Sequence, residues 1–272
     1  MHMETIKKGT RQHGVTILLQ ELLCEAGYNI SIDGDFGPST DKAVRDFQKQ
    51  NGMFIDGVVG TKTWIKFTLM FPEYFQEMTN KFLSQKDIDK VAKDLGVESA
   101  AVSAVREVEA GGSGFHGLRP KILFEGHTFW KRLKKYGIEP GQYRQGNENI
   151  LYPKWTNDVR KYYKEDQYAR LDQARNIHEE AALESASWGL FQIMGYHWES
   201  LGYASIKNFV SKNYKSENEH LRAFAKFLEI NNLVRHLRAL DWAKFARGYN
   251  GPAYKKNRYD EKLAAAYQRH KT

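Results

Sequence analysis

A repeated turn motif near the amino terminus constrains the fold of this 272-residue chain more than any other feature. The pattern Asp-Gly-x-x-Gly-x-x-Thr occurs in residues 33–40 (DGDFGPST) and again in residues 56–64 (DGVVGTKTW). In each copy the glycines allow a tight turn, the aspartate accepts hydrogen bonds from the turn backbone, and the threonine begins or enters a helix. Two such turns predict three short helices around one small core.

The segments that flank the turns have helical periodicity. VTILLQELLCEAGY precedes the first turn, and TDKAVRDFQKQNG follows it with Ala43, Val44 and Phe47 on one stripe. A third helix begins near Trp64, after the second turn, with Phe67 and Leu69 among its apolar residues. A three-helix domain of this size can fold alone, and we expect it over residues 1–72.

This segment resembles a known module. The stretch GDFGPSTDKAVRDFQKQNGMFIDGVVGTKTW, within residues 12–70, is similar to the peptidoglycan-binding domain found on many cell-wall hydrolases. The resemblance implies a non-catalytic domain that holds a glycan strand or a stem peptide near its turns. Asp33 and Asp56 are the candidate cell-wall-binding residues.

A boundary follows the small domain. Pro72 disfavours helix in the residue before it, and we expect a short packed connector over residues 73–83. Ser84 is a helix cap and Gly96 ends the helix that it starts. The second domain is therefore predicted over residues 84–272.

Two glutamates near a glycine cluster raise the question of catalysis. At about 100° per residue, Glu109 falls within the arc of the three valines of the predicted helix over residues 98–109, whereas Glu107 falls on the opposite side. Burial and the end of the helix both raise a carboxyl pKa, which suits the acid of a glycosidase. The alternative is an incorrect helical phase, with Glu109 exposed or neutralised by Arg106.

Three other stretches add groups that suit a polysaccharide substrate. RPKILFEGHTFW contributes a carboxylate, ESASWGLFQIMGYHW an amide, and FARGYNGPAY an amide between aromatic residues. These three stretches follow AVREVEAGGSGF in the chain, and the four segments occur in the order typical of one family. Residues 84–269 thereby resemble the N-acetylmuramidase family of phage endolysins, which has a helical lysozyme-like domain. The family's catalytic glutamate corresponds to Glu109. The family usually has serine at the next position, where this chain has Ala110.

The resemblance implies a mainly α fold with a minor β element and cleavage of the β-1,4 bond between N-acetylmuramic acid and N-acetylglucosamine. Glu109 is then the general acid, and Glu125 is the first candidate for the second catalytic group, the alternative being a structural ion pair. Candidate substrate-binding residues are Gln192 and Asn250 for the N-acetyl groups, and Tyr249 or Tyr196 for stacking on a sugar. Trp188 is a further stacking candidate, although core packing is the stronger expectation for Trp188 and Phe191.

Two rivals use the same residues differently. A lytic transglycosylase would use Glu109 first as acid and then as base, with a hydroxyl group of the sugar as nucleophile. A non-catalytic structural protein would bind the wall and leave it intact. A third rival, nucleic-acid binding, depends on charge alone.

Charge favours a polyanionic partner. The formal net charge is +8, and because residues 1–72 are balanced, the whole excess lies in residues 73–272. Peptidoglycan, anionic membrane and nucleic acid all qualify, and simple solubility is the alternative. The basic residues form no arm or recognised signature, so we do not expect nucleic-acid binding. The basic end of the final segment, YDEKLAAAYQRHKT, is a candidate contact for anionic outer-membrane lipid, and otherwise the solvated end of a packing helix.

Neither a metal nor another cofactor is expected. The single cysteine, Cys24, excludes an internal disulfide, and His116, His127 and His197 lie on separate segments without metal-site spacing. No signal peptide or membrane-length apolar run occurs. We therefore expect a monomer that is made in the cytoplasm of a host bacterium and acts on the wall in the periplasm after release.

Overall fold

The computed structural model of the chain describes residues 3–110, 112–252 and 254–271 and has the mainly α fold that the sequence predicts. The α-helices of the described residues are α1 (His13–Glu25), α2 (Pro38–Gln50), α3 (Thr61–Met70), α4 (Pro72–Lys81), α5 (Gln85–Leu95), α6 (Ser99–Ala110), α7 (Gly126–Lys135), α8 (Gln167–Arg175), α9 (Glu179–Glu184), α10 (Ile206–Lys215), α11 (Glu217–Ile230), α12 (Val234–Arg238), α13 (Trp242–Asn250) and α14 (Tyr259–Lys271). The short strands are β1 (Phe115–His116), β2 (Arg119–Pro120), β3 (Ile122–Phe124), β4 (Ala186–Trp188) and β5 (Ile193–Met194).

The chain forms two compact units. The first contains the residues up to Asn80 together with Phe115–Arg119, and the second contains Lys81–Gly114 together with the residues from Pro120 onward. None of the helices in the described residues is both long and apolar enough to cross a membrane.

The core of the first unit comes from the predicted helical stripes. Val44 and Phe47 of α2 are buried, as are Trp64 and Phe67 of α3. The rings of Phe47 and Phe67 stack with their centroids 4.1 Å apart. Leu69, which the sequence grouped with them, is instead 73% exposed, because it lies on the outer side of α3.

The two repeated turns are braced by equivalent glutamines. The Gln20 side chain donates to Asp33 Oδ1 (2.8 Å) and accepts from the backbone N–H groups of Asp33 (3.0 Å) and Gly34 (2.8 Å). Gln48 makes the matching bonds in the second turn, donating to Asp56 Oδ1 (2.9 Å) and accepting from the N–H of Asp56 (3.2 Å). Each aspartate also accepts from the N–H two residues later, as expected. The repeat is therefore a structural unit of glutamine, aspartate and glycine.

The structure adds two details to the repeat. Only the first glycine of each copy has positive φ, at 75° for Gly34 and 69° for Gly57. The second glycine has extended backbone and precedes the helix, so Thr40 and Thr63 are the third residues of α2 and α3 and do not begin them. The buried threonine hydroxyls instead donate back to a turn carbonyl, which closes each turn against its helix.

Helix α5 of the second unit begins at the predicted cap. Ser84 and Asp87 form reciprocal hydrogen bonds at the start of α5, and Gly96 ends this helix with φ 64°. Pro72 separates α3 from α4, and most of the predicted connector lies within α4.

A small antiparallel sheet in the order β3-β4-β5 lies among the helices of the second unit. Its central strand β4 is fully buried, and Trp188 at its end has only 2% exposure. The turn between β4 and β5, residues 189–192, and the carboxyl-terminal ends of α6 and α13 carry the candidate site. The predicted tail helix is α14, which buries Leu263 and Tyr267 on one face.

Candidate active site

Glu109 lies near the carboxyl-terminal end of α6 on its inner side. Val102 and Val105 are buried, Glu109 is half-buried, and Glu107 is exposed on the other side, where it pairs with Arg269. The predicted helical phase is therefore confirmed.

The carboxylate of Glu109 is held by one neighbouring amide. Asn250, the last residue of α13, donates from Nδ2 to Oε1 (3.1 Å) and to Oε2 (3.0 Å) of Glu109. The Oδ1 atom of Asn250 is buried and has no hydrogen-bond partner among the described residues. Asn250 thus positions the carboxyl group, whereas the sequence suggested that it binds an N-acetyl group.

Burial raises the pKa of the Glu109 carboxyl above its ordinary value. The hydrogen bond from Asn250 and the positive charge of Lys262 act in the opposite direction but do not cancel the effect. A carboxyl group in such surroundings keeps its proton to higher pH than a solvated one and can donate it to a leaving oxygen.

A cleft of 280 Å³ opens beside this carboxyl group. Its lining is mostly apolar or aromatic, with a few polar groups, which is typical of a ligand-binding cleft. The lining residues are Glu109, Phe191, Gln192, Ile193, Met194, His197, Phe227 and Tyr249. Among these described residues Glu109 supplies the only carboxylate.

Gln192 lines the cleft but its side-chain amide is already bonded within the β4–β5 turn. Its Oε1 accepts from Ser187 Oγ (2.7 Å), and its Nε2 donates to the carbonyls of Gly189 (2.8 Å) and Lys121 (3.3 Å). The residue has positive φ (51°), which is uncommon outside glycine. The structure thus uses the amide to fix the turn that forms one wall of the cleft.

The predicted aromatic residues occupy different surroundings. Tyr249 lines the cleft and donates its hydroxyl to the carbonyl of Phe191 (3.0 Å). Tyr196 is 38% exposed and is not among the lining residues. Trp188 and Phe191 are buried in the core, as expected, although Phe191 also reaches the wall of the cleft.

Glu125 lies in a separate cluster outside the cleft. It follows β3, whereas Lys121, whose carbonyl accepts from Gln192 in the wall of the cleft, precedes that strand. Its Oε2 accepts from the hydroxyl of Tyr163 (2.6 Å) and lies 3.3 Å from His127 Nδ1. Burial alone would raise the pKa of Glu125, but these two neighbours and the charge of Arg170 together lower it. The geometry favours the structural alternative, with tyrosine and histidine as its partners.

Two buried polar side chains of α11 support the segments around the cleft. Glu217 accepts from the N–H of Gly114 (2.6 Å), which follows α6 in the chain. His220 accepts at Nδ1 from the N–H of Leu190 (3.1 Å), in the β4–β5 turn, and burial lowers its pKa to about 4. A Cβ at Gly114 or Gly189 would lie 2.7 Å from the His220 ring, so both glycines are needed for this close approach.

Part of the glycine cluster lies outside the described residues. This applies to Gly111 and to the side chain of Ala110, at which the chain departs from the usual family serine. Gly112, just beyond, has φ 121°, a conformation that favours glycine.

The first unit has a cleft of its own, with a volume of 460 Å³, at the second repeated turn. It is lined by residues of the turn, including Asp56 and Lys62, and by Phe54, whose side chain is 84% exposed. Asp33 does not line this cleft, and its carboxylate braces the first turn. The described residues contain no group of three or more His, Cys, Asp or Glu side chains arranged to hold a metal ion.

The sequence did not select His197, Phe227 or Met194 as site residues, although all three line the cleft. His197 was considered only as a metal ligand, because a lone histidine has no spacing pattern that marks it as part of a cleft. Phe227 comes from α11, and its contact with the site depends on packing between distant segments.

A half-buried carboxyl group that lines a cleft of the helical second unit is the arrangement of a glycoside hydrolase whose proton donor is a carboxylic acid. The comparisons agree. Residues 98–271 match the family model described as N-acetylmuramidase, and residues 13–66 match a putative peptidoglycan-binding domain. The chain therefore belongs to the N-acetylmuramidase family, as its sequence predicted, and is a peptidoglycan hydrolase of the glycoside hydrolase class.

A solved structure is similar over nearly the full length. It is the endolysin of Burkholderia phage AP3, with 37% sequence identity and a TM-score of 0.67, covering 98% of this chain and 99% of that one. A comparison with curated proteins gives no match.

Proposed function

We propose that this protein cleaves the β-1,4 bond between N-acetylmuramic acid and N-acetylglucosamine, with Glu109 as the general acid. The observation that carries the proposal is the position of Glu109, which lines the cleft while burial raises its pKa. The protonated carboxyl donates its proton to the bridging oxygen as the bond to the anomeric carbon breaks. Asn250 holds the two oxygens in place for this transfer.

We also propose that the protein acts in lysis of a host bacterium, since the similar solved structure is a phage endolysin. It would then work as a monomer on the periplasmic wall after release from the cytoplasm. The first unit would hold the wall at the cleft beside Phe54, while the basic second unit is attracted to anionic stem peptides. Contact with anionic outer-membrane lipid remains a secondary proposal for the basic end of α14.

One observation favours a second candidate, the lytic transglycosylase. Among the described lining residues the cleft contains one carboxylate, and that reaction needs a single acid that later acts as base. Its product carries an anhydro ring, whereas hydrolysis leaves a reducing end, so the two products differ by one water.

Digestion of purified sacculi tests the proposal. The parent protein should release fragments that end in reducing N-acetylmuramic acid, identified by mass spectrometry before and after borohydride reduction. Glu109→Gln should lower the rate by about 10²–10⁴-fold while retaining wall binding. Anhydro products would favour the transglycosylase, and undiminished lysis by Glu109→Gln would remove Glu109 from the reaction.

A further inference from the structure

Hydrolysis needs a second group, and the described lining residues of the cleft do not supply it as a carboxylate. If the proposed function holds, a water molecule must lose a proton as it attacks the anomeric carbon. Glu109 is the only carboxylate among the described lining residues, and Glu125 is bonded elsewhere to Tyr163. The base must therefore be sought among the other polar side chains of the cleft.

Two of these side chains are already engaged. The amide of Gln192 is bonded to Ser187, Gly189 and Lys121, and an amide is not a base at neutral pH. The hydroxyl of Tyr249 donates to a backbone carbonyl, and burial raises its pKa far above the ordinary value, so it stays protonated. Among the described lining residues, the remaining group that can accept a proton is the imidazole of His197.

The ring of His197 is held in place by packing, but its nitrogens are not used in structural hydrogen bonds within the described part of the chain. Its ring packs edge-on against Phe227, with centroids 5.2 Å apart, and lies 4.4 Å from the ring of Tyr196. Neither ring nitrogen forms a hydrogen bond to any described residue. In contrast, His220 uses both nitrogens and His178 caps α9, which are structural uses of histidine.

The surroundings keep the His197 imidazole neutral. Burial lowers its pKa below the ordinary value, and no charged group contributes to this shift. The titratable groups that share its surroundings are Glu109 and Tyr249 across the cleft and Tyr196 beside the ring. At neutral pH His197 is therefore a neutral imidazole that lines the same cleft as Glu109.

We propose that His197 is the second catalytic group, the base that activates water in an inverting hydrolysis. The water oxygen forms the new bond to the anomeric carbon while its proton passes to His197. The bond to the bridging oxygen breaks with its electron pair on that oxygen, which takes the proton of Glu109. Exchange with solvent then returns one proton to Glu109 and removes one from His197, so the net change is addition of one water. The β-linked substrate gives an α-configured product.

The test uses two variants of the full-length protein, His197→Ala and His197→Gln. Glutamine is bulkier than alanine and so better preserves the volume of the cleft. His236→Ala is the matched control, because His236 is also half-buried in the second unit but does not line the cleft. For each variant, kcat, KM and their pH profiles are measured on soluble glycan fragments of peptidoglycan. Thermal melting verifies folding, and proton NMR of early products gives the anomeric configuration.

The expected result is specific to a base. Both variants should lose about 10²–10⁴-fold in kcat with little change in KM, and the acidic limb of the kcat profile should disappear. Azide, a nucleophile that needs no deprotonation, should restore turnover in His197→Ala and give the inverted glycosyl azide. His236→Ala should keep the rate and profile of the parent.

The outcomes separate this inference from the proposed function. The parent could release reducing-end products while both His197 variants keep the parental rate and the acidic limb of the kcat profile. That result would overturn the role of His197 as base and leave the proposed hydrolase function intact. A β-configured product would do the same, because a base acting on attacking water inverts the centre. Anhydro products from the parent would overturn the proposed function itself.

Discussion

The half-buried carboxyl of Glu109, the proposed general acid, has a cost in folding free energy at high pH. Its pKa is raised in the folded protein, so folding favours the protonated form. The stabilisation is complete below the unfolded pKa of about 4.3 and is lost as pH rises through the folded pKa. The proposed proton donor therefore destabilises the folded protein at neutral and alkaline pH.

Replacement of Glu109 by glutamine should therefore stabilise the protein while it strongly lowers the rate of lysis. The amide has no charge to bury, so Tm should rise at pH 8 relative to the parent, by about 2–4 °C for each kcal/mol. The difference should vanish near pH 3, where the parent carboxyl is also neutral. Calorimetry at both pH values checks this, and an equal or lower Tm at pH 8 would contradict the buried-acid interpretation.

Asn250 affects the pKa and the orientation of the Glu109 carboxyl group. Its amide hydrogen bonds lower the pKa of Glu109, so Asn250→Ala should raise that pKa and shift the alkaline limb of the kcat/KM profile to higher pH. The rate should also fall, by up to about 10²-fold, because the carboxyl is no longer oriented. Asn257→Ala, at an exposed position, is the control. An unchanged alkaline limb in Asn250→Ala would mean that the amide does not influence the acid.

Among the elements, the turns of the first unit depend on glutamine side chains in helices α1 and α2. Gln20 and Gln48 are both about 99% buried, and each satisfies backbone and carboxylate groups of one turn. Removing either side chain leaves buried backbone N–H groups without partners, which costs more than the bonds themselves contribute. The equivalence of the two turns means that both glutamines should matter alike.

Gln48→Ala should destabilise the first unit by about 2–3 kcal/mol and Gln20→Ala by a similar amount. Gln50→Ala is a matched control in α2, because its exposed amide bonds only to Asp46. Urea unfolding followed by fluorescence of Trp64, with the other tryptophans replaced, reports on this unit. If Gln48→Ala were no less stable than Gln50→Ala, the brace would have no energetic role.

Residues 1–72 of the chain are balanced in charge, and residues 73–272 carry all of the excess positive charge. Long-range attraction to an anionic wall therefore acts on the catalytic unit, whereas the first unit presents a specific cleft. An exposed aromatic ring such as Phe54 can stack on the apolar face of a sugar. Binding and cleavage should accordingly be separable by substitution.

Phe54→Ala should weaken retention on sacculi about tenfold, the equivalent of ~1.4 kcal/mol. The comparison is made in the Glu109→Gln protein, so that the wall stays intact, and binding is read from sedimentation isotherms. Leu69→Ala is the control, since Leu69 is an exposed apolar residue of the same unit outside the cleft. Equal retention of the two variants would place the wall contact elsewhere.

The sequence alone determined what is local. Repeated turn residues, apolar periodicity and the cap at Ser84 predicted the helices of the first unit, and helical phase placed Glu109 on the inner side of α6. These features depend on the backbone geometry of a few neighbouring residues, so they can be predicted from the amino-acid sequence. The family resemblance extended the same reading to the class of enzyme.

Only the tertiary structure decided which side chains share the cleft. Asn250 reaches Glu109 from 141 positions away, while Glu125 points to a different cluster although it is nearer in sequence. Whether an amide is free for substrate, as proposed for Gln192, depends on partners brought in by β-strand pairing. His197 gained its proposed role in the same way, because a free imidazole nitrogen is defined by its neighbours in space and has no signature in the chain.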